Sequence, residues 1–314
     1  MTTSPVLVPP PSTPAPIVHE HFAHARRRGM WRHFGGALRY PLLAVRYRLL
    51  VQNFFRRELV GRFRGSFLGV FWVLLHPIFL FSIYFFVFGY VFRAKLSAGI
   101  VETAGPSPDF AVYMLSGLLV INSFMEATSR SCTTIHENGN LVKKVAFPCE
   151  LLPVHLVGVS TVVFLVGVTV LLALGIPTGT IVPDAQLAFW PLVLAVQVVL
   201  SLGVGLTLAC VYVFMRDAAQ VWSMFGQALL FLSPTFWRLA PDGLAAPEPW
   251  ATVLRANPLY ALMQAHRHSL GVTRFALDGT LLGHLAVAAA WAFAALLFGY
   301  GLFMSRREKF ADMV

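Results

Sequence analysis

Gly65 to Phe92 is a run of 28 residues without Asp, Glu, Lys or Arg. At ~1.5 Å per residue such a helix would reach roughly 42 Å, more than the ~30 Å hydrocarbon core of a bilayer. A soluble fold has few ways to hide it, so a first membrane span is expected over about Leu68–Phe92. Directly before it stands the Arg-rich stretch Phe54–Arg64. There Phe55, Leu59 and Phe63 recur at four-residue spacing and share one helical face, with Arg57, Glu58, Gly61 and Arg64 largely opposite. The pattern predicts an interfacial helix running without a turn-rich linker into the span. Arg62 falls near the apolar face, from which it would snorkel to phosphates.

The remainder supports a polytopic membrane protein. The 314 residues are 57% hydrophobic and 12% charged, against about 25% charged in a globular domain. Further apolar runs over residues 110–129, 151–176, 187–215, 218–237 and 279–304 bring the expected spans to six. Residues 238–278 are too interrupted by proline to span and too apolar for a simple loop. Short re-entrant helices on the outer side, shielded by protein, fit them. Of the 24 Lys and Arg residues, 18 fall on one set of alternate connections, which places both termini in the cytoplasm. The formal net charge of +10 therefore reads as positive-inside bias and attraction to anionic lipid, not as a nucleic-acid surface.

The expected organisation is a disordered Pro-rich cytoplasmic tail over 1–30 and a basic interfacial helical segment over 31–65. A six-helix transmembrane domain over 66–305 and a short cytoplasmic end over 306–314 follow. No cleavable leader is read at the start. Cys132, Cys149 and Cys210 make neither a disulfide framework nor a zinc-ligand pattern.

Motifs for chemistry are sparse. There is no Gly-Lys dipeptide and hence no P-loop, and no His-Glu-x-x-His or Gly-x-Ser-x-Gly. Ionisable residues inside spans are the default functional positions of membrane proteins. Glu126 and His76, beside Pro77, are the ones singled out as polar or gating groups. The largest cytoplasmic connection between spans is Arg130–Glu150, expected to hold a short helix, the polar break Asn138-Gly139-Asn140, and then Lys143 and Lys144. A compact, polar, helix-bearing loop suits a peripheral partner.

Three stretches carry a resemblance. They are Arg57-Glu58-Leu59 through Arg62-Phe63-Arg64-Gly65 to Trp72 and His76-Pro77, then Asn138 through Lys143-Lys144-Val145-Ala146-Phe147-Pro148, and Asn257-Pro258-Leu259. Together they resemble type-2 ABC exporter permeases, nearest the branch that exports O-antigen, capsule and teichoic-acid polymers. The resemblance covers about Phe54–Lys309 and leaves the N-terminal extension unexplained. It implies a permease subunit in the bacterial inner membrane that exports a lipid-linked polysaccharide such as O-antigen. This chain would not be the enzyme. It would bind no cofactor, and ATP and Mg would sit on a separate ATPase subunit. The implied assembly is a homodimer of this chain with two ATPase subunits. ATPase coupling is expected at Arg56 and Arg57 of the interfacial helix and at Glu137, Asn138, Lys143 and Lys144 of the loop.

Sugar rings present C–H faces that stack on aromatics, so an aromatic path binds a polymer weakly and repetitively. Trp72, Tyr84 and Phe85 of the first span and Trp222, Phe225 and Phe231 of the fifth are the expected substrate path. Single aromatics also serve interfacial belts. The competing functions are a type-2 ABC permease for a lipid or drug and a membrane-embedded glycan-modifying enzyme. The Lys-Lys-Val-x-Phe-Pro loop argues against the first, and the lack of an Asp-x-Asp motif against the second.

Overall fold

The computed structural model describes residues 34–62, 65–91, 109–144, 148–237, 239, 248–272 and 277–314. The Pro-rich tail and the Val145–Phe147 part of the loop lie outside the described residues. Among those described, the chain is helical with no strand. In order come α1 (Phe34–Arg46), α2 (Arg48–Gly61), α3 (Trp72–Tyr84), α4 (Asp109–Glu137), α5 (Gly139–Lys144), α6 (Leu152–Gly175) and α7 (Trp190–Phe214). They are followed by α8 (Ala218–Leu232), α9 (Glu248–Ala256), α10 (Pro258–Leu270), α11 (Leu281–Arg306) and α12 (Phe310–Met313).

The helical stretches Asp109–Glu137, Cys149–Gly175, Ala185–Phe214 and Leu281–Met313 are long and apolar enough to cross a membrane. The expected first and fifth spans contain shorter apolar helices, Trp72–Val87 and Ala218–Leu232.

The bundle is built on α7 and α11, which pack side by side, with α4 across α6 and α7. Small residues set the closeness of the first pair. A Cβ on Gly203 would strike the α11 backbone at Ala295 and Leu296, and one on Gly299 would strike the Gly203 carbonyl. Lipid tails offer no hydrophobic drive for helix pairing, so close backbone approach and the dispersion it permits must do the work. One core gathers Leu115, Phe124, Phe164, Leu200 and Leu262. A second, nearer α5, gathers Tyr40, Ile135, Leu152, Phe303 and Phe310.

At the end of the bundle far from α5, α9 and α10 are short and distinct. The Asn257 side chain accepts from the Leu259 N–H at 2.9 Å, and Pro258 opens α10 where no N–H is needed. This is the physical content of Asn257-Pro258-Leu259. Helix α10 is almost wholly buried against α7 and α11, so protein shields its backbone.

Two expectations need correction. The interfacial helix does not run straight into the first span. A turn at Gly65, with φ of 78°, and the 3-10 turn Gly69–Phe71 precede α3. Positive φ is open to glycine without the Cβ clash that other residues suffer, so one residue inside an apolar run breaks the rod. Past Tyr84 the chain then widens into a π-helical segment, Phe85–Val91. The loop also holds no separate helix before Asn138, because α4 continues unbroken to Glu137. Ser131, Cys132, Thr134 and Ile135 are buried there, and the Cys132 thiol donates to the Leu208 carbonyl of α7. Tertiary packing overrides the weak helix propensity of Ser-Cys-Thr-Thr.

Candidate functional site

The expected coupling residues lie on three elements: α2, the tip of α4 and α5. Helix α2 packs along α6, with Phe54 beside the His155 ring and Phe55 against Gly158. Arg56 and Arg57 are exposed, and the Arg57 guanidinium lies over the Phe54 ring at 4.9 Å. Next to this helix, α4 projects to its tip at Glu137. The exposed Glu137 carboxylate accepts from Thr133 Oγ1 at 2.7 Å. Asn138 turns the chain, its side-chain amide donating to the Thr134 carbonyl at 2.9 Å. The Asn138 backbone N–H donates to the same carbonyl at 3.2 Å, so the side chain reinforces the last turn of α4. The turn launches α5, on which Lys143 is exposed and which Lys144 closes.

Helix α5 stands on a built floor. Val314 lies against Gly139, and Phe310 is buried between Phe303 and Phe214. The start of α6 is tied down as well. Buried Tyr40 donates its hydroxyl to the Glu150 carbonyl at 2.6 Å, and Arg307 pairs with the Glu150 carboxylate at 3.3 Å. Burial, with the nearby Glu150 charge, pushes the Tyr40 hydroxyl well above its ordinary range, so it remains a donor at any physiological pH.

A second feature links α2 to α4. Glu58 pairs with Arg130, and Arg62 pairs with Glu126 at 2.5 Å. Four residues separate Glu58 from Arg62 and four separate Glu126 from Arg130, so each helix presents both charges on one face. The two faces meet with the signs crossed. We call this the clasp. Arg62, expected to reach for phosphate, reaches a carboxylate instead. Glu58 and Arg130 were not singled out from the sequence, although the paired four-residue spacing was visible there.

The expected substrate-path residues do not converge within this chain. Trp72 joins Arg62, His76, Asn122 and Glu126 in lining a cavity of about 260 Å³ among α3, α4 and α6. Trp222 and Phe225 line a different, apolar groove of about 610 Å³ bounded by α7, α8, α9 and α11. Trp222 is fixed in place, donating from Nε1 to Thr128 Oγ1 at 3.0 Å and packing edge-on against Phe124. Tyr84 and Phe85 are half-buried, with the Phe85 ring stacked on Phe81. Phe231 is exposed and pairs with Phe236. His76 is exposed on α3 one turn from Trp72. No group of three or more His, Cys, Asp and Glu is placed to hold a metal ion among the described residues.

At the far end, Asp278 collects contacts from three elements. Its carboxylate accepts from Arg255 Nε at 2.9 Å and from the Tyr260 hydroxyl at 2.8 Å. Its carbonyl faces His284 Nε2 at 2.6 Å and His268 Nε2 at 3.2 Å. Burial alone would raise the Asp278 carboxyl, but the hydrogen bonds and the Arg255 charge outweigh it and hold the group below its ordinary value.

Comparison with known proteins agrees with the architecture. Over 268 residues the chain is 27% identical to the O-antigen export system permease protein RfbA of Myxococcus xanthus, covering 85% of this chain and 96% of that protein. It is 22% identical over 259 residues to the protein of the same name from Klebsiella pneumoniae, covering 82% and 92%. It is 23% identical over 262 residues to the polysialic acid transport protein KpsM of Escherichia coli, covering 83% and 95%. Residues 50–270 match the family described as ABC-2 type transporter. With most of its length inside that match, and with helices long enough to cross a bilayer, the chain belongs to the ABC-2 type transporter family.

Proposed function

We propose that this chain is the membrane permease subunit of an ATP-driven exporter that moves a lipid-linked polysaccharide, such as an O-antigen, across the bacterial inner membrane. The observation that carries the reading is near full-length similarity to permeases of polysaccharide export, in both directions of coverage. The geometry of α5 fits it: a short basic helix held out at one end of the bundle and supported from beneath by Val314 and Phe310. ATP and Mg belong to a separate ATPase, and two copies of each subunit form the working exporter.

In this reading α3 with its π-helical extension, and α8, complete six spans. Trp72–Val91 is 20 residues, which at ~1.5 Å per residue approaches the ~30 Å of the hydrocarbon core. Both termini and α5 face the cytoplasm, and α9 and α10 are re-entrant helices on the outer side. Arg56, Arg57, Glu137, Asn138, Lys143 and Lys144 form the coupling surface. Trp72, Tyr84, Phe85, Trp222, Phe225 and Phe231 belong to a path completed only by the second copy.

The test is reconstitution. The purified chain is expected to hydrolyse no ATP alone and to stimulate its co-encoded ATPase in proteoliposomes. The double variant Lys143→Glu, Lys144→Glu is expected to abolish co-purification of that ATPase. Hydrolysis by the chain alone, or undiminished co-purification of the variant, overturns the reading.

A further inference from the structure

Arg267 of α10 is wholly buried, at 0% exposure. Its Nε donates to Ser116 Oγ at 3.1 Å and its Nη2 to the Tyr113 carbonyl at 3.0 Å, both on α4. The guanidinium carbon stands 3.6 Å from the centre of the Tyr113 ring. Each of these partners is neutral. Ser116 spends its own proton on the same Tyr113 carbonyl, at 2.7 Å. The ion pairs among the described residues belong to Arg62, Arg130, Arg255 and Arg307, and none reaches Arg267. Its Nη1 is buried with no hydrogen-bond partner among those residues.

Burying a charge without its opposite costs far more than burying a neutral donor. The Tyr113 ring offsets part of that cost, because its quadrupole attracts a cation. A ring supplies no net negative charge, however. A trapped water would pair with Nη1 and still leave the charge uncompensated. What the guanidinium lacks is an anion.

A second under-used donor stands beside it. Thr235 is fully buried, and its hydroxyl finds only the Met263 sulfur, a weak acceptor at 3.8 Å. Gly117 of α4 brings the two together. A Cβ on Gly117 would lie 2.8 Å from Arg267 Nη2, 3.3 Å from the Thr235 Cα and 3.6 Å from the Met263 sulfur. The guanidinium and Thr235 therefore border one point, which glycine leaves clear of side chain. Bounds that close suit a single atom better than an oxyanion.

We infer that Arg267, Thr235 and Gly117 form a binding site for one small monovalent anion of halide size, with chloride as its ordinary occupant. Arg267 Nη1 and Thr235 Oγ1 donate to it, and its charge balances the guanidinium. The site joins α10, α4 and the stretch after α8, where the Tyr113 hydroxyl already donates to the Trp237 carbonyl at 2.9 Å. Placing this junction on the outer side rests on the export reading above, but the binding itself does not.

The experiment uses the full chain in detergent, without any ATPase, exchanged into chloride-free gluconate buffer. Binding of radioactive chloride is measured by equilibrium dialysis at constant ionic strength. One saturable site per chain is expected, displaced by bromide but not by sulfate. Thr235→Val keeps the branched shape and removes the hydroxyl. It is expected to weaken chloride binding about tenfold, taking ~1.4 kcal/mol per tenfold for one hydrogen bond to a charge. Arg267→Gln is expected to abolish binding, and where that variant does not elute as one species Thr235→Val decides alone. The proposal is overturned if the parent shows no saturable binding or if sulfate displaces chloride as well as bromide does. It is equally overturned if either variant elutes as one species and binds as the parent does. Because export plays no part in the measurement, a negative result here leaves the reconstitution test standing, and the reverse also holds.

Discussion

Arg62, which caps the end of α2, places its guanidinium 2.5 Å from the Glu126 carboxylate of α4. One turn away on each helix, Glu58 and Arg130 repeat the contact with the charges exchanged. A single salt bridge at this exposure contributes little, typically ~0.2–1 kcal/mol. Two in crossed register fix direction as well as contact, since sliding α2 by one turn along α4 would bring like charges together.

The clasp predicts a specific pattern of rescue. Arg62→Glu should weaken thermal stability and export more than Arg62→Gln does, because it sets like charges face to face. Adding Glu126→Arg should restore most of the loss. A double-mutant cycle on the melting free energy should return a coupling of about 0.5–1 kcal/mol, within the range for partly exposed pairs. A coupling indistinguishable from zero would mean the two side chains share a location and no energy.

The seam between α7 and α11 predicts intolerance to the smallest possible enlargement. A Cβ at Gly299 would lie 2.9 Å from Thr207 Oγ1 as well as striking the Gly203 carbonyl, and backbone cannot step aside as a side-chain tip can. Gly299→Ala should cost ~1–3 kcal/mol, the usual range for overpacking. Gly299→Leu should abolish recovery of monodisperse protein from the membrane. Gly35, with open space around it, is the matched control, and Gly35→Ala should behave as the parent.

Asp278 predicts an acid limit at the opposite end. Its carboxyl is held below the ordinary value of 3.8 by Arg255 and Tyr260. Being lower in the folded chain, it adds stability that is full above the ordinary value and is lost as pH falls through the folded one. Melting temperature against pH should therefore drop on the acid side for the parent. Asp278→Asn should begin lower at neutral pH and show a shallower acid limb. Parallel curves for the two proteins would remove Asp278 from the account.

Much of this architecture was legible in the sequence, for reasons that differ by position. The helical class and the approximate limits of α6, α7 and α11 follow from apolar length. The start of α10 follows from Asn257 and Pro258, whose roles are local. Three features were not legible. Gly65 hides a turn inside an uncharged run, because glycine alters hydropathy little while freeing the backbone. The extension of α4 to Glu137 depends on burial against α7, which local propensity does not record. The clasp depends on the register between helices more than 60 positions apart. Each pair, Glu58 with Arg62 and Glu126 with Arg130, looked in isolation like ordinary intrahelical spacing. Of the candidate residues, Trp72, His76 and Glu126 do share a cavity. Trp222 and Phe225 face another, since Trp222 spends its N–H on Thr128.

Cys132, Cys149 and Cys210 are all buried and unpaired as disulfides, at 0%, 3% and 1% exposure. Cys132 lies against α7, Cys149 opens the way into α6, and Cys210 donates to the Leu302 carbonyl of α11. These thiols are therefore shut away by the same helix contacts that make the bundle. A maleimide added to the intact protein should find a cysteine introduced at an exposed site, such as Arg56 or Ser223, long before it finds a native one. The native three become an internal clock: their alkylation marks the moment at which α4, α6, α7 and α11 come apart.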